Sequence, residues 1–207
     1  MVIMTLANDE TLIAALWRVI AAHGWPGLTM RRLAAEAGTD TATLRERFPT
    51  RLDLLLLHGR AMDQAVLAGT IPGQGGSARD RIFDVLMRRL DAMQPHREGI
   101  LRLFEDMRRD PALALALVPH IGVAMRWMLE AAEIEGKSCQ ARVLAIGLAG
   151  VWLATIRAWA RDESPDMGST MAALDSALDR AERIARPLGL LRGETPSPTS
   201  TEAAETS

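Results

Sequence analysis

Five arginines and a row of threonines crowd one short stretch of this chain. Residues 29–51 read TMRRLAAEAGTDTATLRERFPTR, with Arg31, Arg32, Arg45, Arg47 and Arg51 set among Thr29, Thr39, Thr41 and Thr43. A guanidinium group carries a permanent charge and a planar fork of N–H donors. It therefore pairs bidentately with phosphate oxygens or with the edge of guanine. The chemistry offered is recognition of a nucleic acid, and it depends on what holds these groups in place.

The positioning elements are legible around them. A helix-forming run, Met30–Ala37, ends at Gly38, whose freedom to adopt a left-handed backbone suits a sharp turn. Asp40 then offers an N-cap for a second short helix, Thr41–Arg47, which Phe48-Pro49 stops. Two helices this short, about a glycine turn, have the sequence form of a helix-turn-helix. Leu33, Ala34, Ala37, Leu44 and Phe48 can point inward. Thr41, Ala42, Thr43 and Arg45 are left to face a major groove. An ordinary helical hairpin shares this pattern, so periodicity alone leaves both readings open.

A resemblance separates them. From Glu10 to about Val66 the chain resembles the TetR family of one-component repressors. The likeness runs through TLIAALWRVIAAHGWPGLTMRRLAAEAG and TDTATLRERFPTRLDLLL. It includes the Gly24-Trp25 step, Thr29 opening the second helix, the Ala37-Gly38 turn, Thr43-Leu44, and Phe48-Pro49-Thr50-Arg51. The family usually has lysine where Thr41 stands and aromatics or histidine where Arg45, Glu46 and Arg47 stand. Here the arginines supply the cations instead. The resemblance implies an all-α fold of about nine helices and a double-stranded DNA partner. The implied contacts come from Thr29, Arg31, Thr39, Asp40, Thr41, Ala42, Thr43, Arg45, Glu46, Arg47 and Arg51.

Composition sets the wider frame. At 207 residues the chain can bury a substantial core. Its net charge of -2 excludes a generally basic nucleic-acid protein, yet residues 29–60 hold six arginines against four acids. A mildly basic head on an acidic body fits that distribution. The single cysteine, Cys139, permits no intrachain disulfide and points to a reducing cytoplasm. Cys139 lies near Lys137, which could lower a thiol pKa, although a passive thiol is the commoner case. MVIMTLANDE lacks the form of a signal peptide, and the apolar runs look too interrupted for a membrane span.

Helical periodicity extends from Asp9 to Arg186. The expected helices are 9–23, the two of the turn motif, and a fourth from Thr50 to Ala68. A linker at 69–76 then separates a head, 1–68, from a body, 77–190. In the body, Ser77 with Asp80 opens a helix to Met93, and Pro95 starts another to Arg109. Pro119 is expected to kink or split a segment into 111–118 and 120–134. Helices over 138–161 and 169–186 follow, and the polar tail 191–207 should be disordered.

The body is rich in flexible apolar side chains. Met87, Leu90, Leu103, Phe104, Met107, Met125, Met128 and Trp152 are candidates for a cavity taking a small apolar or lipid-like effector, with ordinary core packing as the alternative. Gly147 and Gly150 permit close helix approach, and Trp159, Leu174 and Leu178 could join them at a dimer interface. In the resembled family the last two helices pair into a four-helix homodimer, whereas packing within one protomer competes with that assignment. His96 and His120 could stand at a pocket mouth, though surface or capping roles are commoner. His23 and His58 have no partners at metal-ligand spacing, so no metal or other cofactor is expected. Ser164-Pro165-Asp166 forms no recognisable triad, and an enzyme is not expected.

A second likeness lies in the body. Gln94-Pro95-His96-Arg97 and LAGVWLATIRAWARDESPDMGSTMAALDSALDRAERI (148–184) resemble the lipid-binding accessory proteins of ubiquinone biosynthesis. Those share the TetR fold with a degenerate DNA-reading head. This head keeps its turn glycine, its threonines and Phe48-Pro49, which favours the regulator.

Overall fold

A computed structural model of the chain describes residues 8–71, 73, 76–134 and 138–188, Ser138 by its backbone alone. Among these residues there are nine α-helices and one 3-10 turn. They are α1 (Asp9–Gly27), α2 (Met30–Ala37), α3 (Thr41–Arg47), α4 (Arg51–Ala68), α5 (Ala78–Met93), the turn Gln94–His96, α6 (Arg97–Arg109), α7 (Pro111–Ala131), α8 (Ser138–Trp159) and α9 (Gly168–Ala185). The tail 191–207, part of the linker (residues 72, 74 and 75), and Lys137 lie outside the described residues.

Caps explain why most boundaries fall where the sequence puts them. Thr29 accepts the Arg32 N–H at 3.2 Å and Asp40 accepts the Thr43 N–H at 2.8 Å. Thr50 and Asp53 close a capping box on α4, and Ser77 and Asp80 close another on α5. Gly38 sits at φ 67° and ψ 33°, the left-handed cap that a residue with a Cβ reaches only at a cost. Leu33, Ala34, Ala37, Leu44 and Phe48 are all buried, so α2 and α3 are held at their angle by a shared apolar wedge.

The first helix ends at residue 23 as expected, because Gly24 has the non-helical φ of 67° and ψ of 175°; a short helical piece to Gly27 follows it within the span of α1. Three expectations are corrected. Pro95 belongs to the 3-10 turn, and α6 starts at Arg97. Pro119 does not split α7, which runs unbroken for 21 residues. That proline lies on the exposed side, where solvent can take the carbonyl left without its helical donor. The apolar runs are also longer than expected. Pro111–Ala131 and Cys139–Trp159 each have a mean hydropathy of 1.6 and the length to span a membrane; both pack on neighbouring helices, with 28% and 33% of their apolar stretches buried.

The seam between head and body is tight. Helix α1 packs along α6. Gly99 permits this, because a Cβ there would lie 2.5 Å from the Trp17 carbonyl oxygen and 3.0 Å from its ring. Helix α4 leaves the head and packs on α5 and α7, so it belongs to both halves.

Candidate nucleic-acid interface

The turn motif sorts its polar residues into those facing out and those holding it together. Thr41, Ala42, Arg45 and Glu46 are exposed along one side of α3, and Thr43 is half-buried. Asp40 is occupied as a cap. Its carboxylate also accepts the Thr43 hydroxyl at 2.6 Å, and these bonds hold its pKa below the usual range for aspartate. Its negative charge is thereby spent on the start of α3, where the helix dipole favours it. Thr39 is turned inward and buried, while its N–H closes the turn onto the Ala34 carbonyl at 3.0 Å.

The arginines differ in their commitments. Arg31 is exposed and makes no hydrogen bond or ion pair among the described residues. Arg32 donates to the Gly27 carbonyl at 2.6 Å. Arg45 donates to the Pro49 carbonyl, and Arg47 reaches back to Asp9 on α1 while lying over the Phe48 ring. Arg51 is a clamp. Its Nη1 donates to the Trp25 and Leu28 carbonyls at 3.2 and 3.1 Å, with the guanidinium 5.1 Å above the Trp25 ring centre. Thr29, exposed at the start of α2, keeps its cap bond beside Arg31.

Residues 12–57 match the profile of the bacterial regulatory proteins of the tetR family. The head is therefore similar to the DNA-binding segment of that family. Its similarity to an HTH-type transcriptional regulator of Mycobacterium tuberculosis H37Rv, and to one of Mycobacterium bovis, is 26% identity over 143 residues, covering 66% of this chain and 68% of each relative. In fold it is similar to the TetR transcriptional regulator of Nitrosomonas europaea, with a TM-score of 0.66 and 19% identity over 84% of this chain and 98% of that one. It is also similar to a TetR transcriptional regulator from Rhodococcus sp. RHA1, with a TM-score of 0.55 and 19% identity over 83% and 93%.

The body places the effector candidates in its interior. Leu90, Leu103, Met125, Met128 and Trp152 are buried, and Met87, Phe104 and Met107 are half-buried against the same core. Arg89 brings two of them together, with Nη1 3.8 Å from the Met128 sulfur and its guanidinium 5.5 Å from the Trp152 ring centre. A separate polar cleft of about 190 Å³, lined by Thr70, Arg81, Asp84 and Arg88 among others, includes none of the candidates.

The interface candidates divide. Gly147 and Gly150 are exposed, and a Cβ at either would meet nothing within 4 Å. Trp159 is fully buried, with Arg97 stacked on it and bonded to its carbonyl at 3.0 Å. Leu174 and Leu178 are buried as well, on a helix packed against α8 and α5. These three belong to the protomer's own core. The outward face of α8 is instead Val143, Ile146, Gly147, Gly150 and Leu153, with Ile146 67% exposed.

Sequence reasoning missed Arg89 and Asp63, and weighed His58 only as a metal ligand. A signal was present for the first: Ile82, Val85, Leu86, Arg89, Leu90 and Met93 share one helical stripe, and the arginine stands in its middle.

Proposed function

We propose that this chain is a homodimeric repressor that sets α3 of each protomer into successive major grooves of a pseudo-palindromic operator, and that an effector in the body releases it. The reading rests on the outward face of α3, where Thr41, Ala42, Arg45 and Glu46 are exposed on a helix fixed at both ends. Arg31 adds a cation for the phosphate backbone beside it. Arg51 acts as a clamp within the head, and Asp40 and Thr39 as parts of the turn.

The dimer is best supported by the α8 stripe of Val143, Ile146, Gly147, Gly150 and Leu153. Its apolar and small residues at spacings of three and four make a flat surface for a second copy. An effector among the buried methionines would favour one spacing of the two heads over another, because α4 packs in both head and body. The deciding experiment is a salt series of binding to DNA from the gene's own upstream region. A specific duplex should bind far more tightly than a random one, with affinity falling steeply as salt rises. Equal binding of both duplexes at physiological salt would remove the operator reading and leave a lipid carrier as the lead.

A further inference from the structure

The core of the body holds a charge that an apolar core does not need. Arg89 on α5 is 5% exposed and pairs through Nη1 with Asp63 on α4. Its Nε is buried and has no hydrogen-bond partner. Also beside the guanidinium are the Met128 sulfur and the face of Trp152, neither of which is a strong acceptor. His58, also on α4 and 5% exposed, feels the charge of Arg89, and its Nε2 is buried without a partner too. Trp17 Nε1, on the ring 5.0 Å from that of His58, is unpaired as well. Buried polar nitrogens are nearly always bonded, so the Arg89 Nε is a donor in want of an acceptor.

We propose that Arg89 is the recognition point for a carboxylate on an otherwise apolar effector, and that this carboxylate takes the guanidinium from Asp63. The proposal rests on the effector-responsive reading above and names the class of ligand. A guanidinium fork binds a carboxylate through two parallel N–H donors, and Asp63 engages only Nη1. An incoming carboxylate at the Nε side would satisfy the unpaired donor. Two carboxylates on one buried guanidinium leave a net negative charge, so Asp63 would give way. The hydrocarbon part would lie beside Met128 and Trp152. Asp63 stands on the helix that continues from the head, so releasing it acts directly on α4. Recognition and release are one event.

Calorimetric titration of the full-length protein with decanoate and with decanol tests this, since the two differ in the head group alone. Decanoate should bind at least about tenfold more tightly, the scale of a charge-assisted hydrogen bond in a dry site. Asp63→Asn removes the competing carboxylate, so it should tighten decanoate severalfold and leave decanol unchanged. Arg89→Met should abolish the preference. Because that change strands Asp63, the double variant Asp63→Asn with Arg89→Met repeats it without a buried unpaired carboxylate. Equal affinity for decanoate and decanol would overturn the carboxylate proposal and leave an apolar effector standing. An Asp63→Asn protein with an unaltered preference would overturn it as well, reducing the pair to a structural tie. Binding of neither ligand would overturn the effector site itself.

Discussion

The carboxylate of Asp106, on α6 and buried, accepts the backbone N–H of Trp25 at 2.6 Å, just beyond the kink at Gly24. One side chain of the body thus completes the hydrogen bonding of a bend in the head. Asp106→Ala should cost about 1–3 kcal/mol, because it strands a buried N–H. Urea unfolding checks this. Gly24→Ala should be comparably harmful, since its Cβ would fall 2.7 Å from the Asp106 oxygen at a φ that alanine resists.

Arg45→Ala separates three roles for that side chain. A contact to a base should cost about 1–3 kcal/mol of operator affinity and relax preference at one base pair. A contact to phosphate should weaken all sequences evenly and flatten the salt slope. If the bond to the Pro49 carbonyl is its whole purpose, the melting temperature drops slightly and DNA affinity does not change. Affinity and melting measured on the same protein decide among them.

Two substitutions in α8 should give opposite outcomes. Gly150→Arg places a long cation on the exposed stripe and should yield helical monomers with little operator binding. Trp159→Arg places one in the core and should unfold the protomer, costing well over about 3 kcal/mol. Light scattering with circular dichroism distinguishes a folded monomer from an unfolded chain. A wild-type protein that is monomeric at micromolar concentration would count against the dimer.

Burial pushes the pKa of His58 down from 6.5 to about 3, with the charges of His96 and Arg89 acting in the same direction. The unfolded chain therefore binds a proton that the folded one refuses. Stability from this group is complete above about pH 6.5 and is lost as pH falls towards 3. At about pH 5 the loss should be about 2 kcal/mol. Burial lowers the pKa of His96 as well, so it adds in the same sense. Denaturation of wild type and His58→Phe across pH 4 to 8 should show a shallower acid limb in the variant; parallel curves would refute the assignment.

The head was legible because its signals are local. Thr29, Gly38, Asp40 and Phe48 each act on backbone within a few residues, so α2 and α3 begin and end at the residues expected. The body was legible in outline only. Helix α8 is apolar nearly all round, and a periodic pattern cannot then say which side turns inward. Trp159 therefore read as an interface anchor when Arg97, some sixty residues away, pins it inside. Arg51 shows the same limit in the head, where its type suggested DNA and its clamp on the Trp25 and Leu28 carbonyls depends on how α1 ends. Asp63 and Arg89 are 26 residues apart on different helices, and nothing local pairs them.

The contact between Gly99 and Trp17 bears on engineering. Regulators are often re-addressed by grafting the DNA-reading segment of one onto the sensing segment of another, as though the two were cartridges. Here the junction is a matched fitting. A body offering any residue larger than glycine at position 99 would push against the Trp17 backbone, and one without Asp106 would leave the Gly24 bend untethered. A working chimaera must carry α1 together with the α6 surface that receives it.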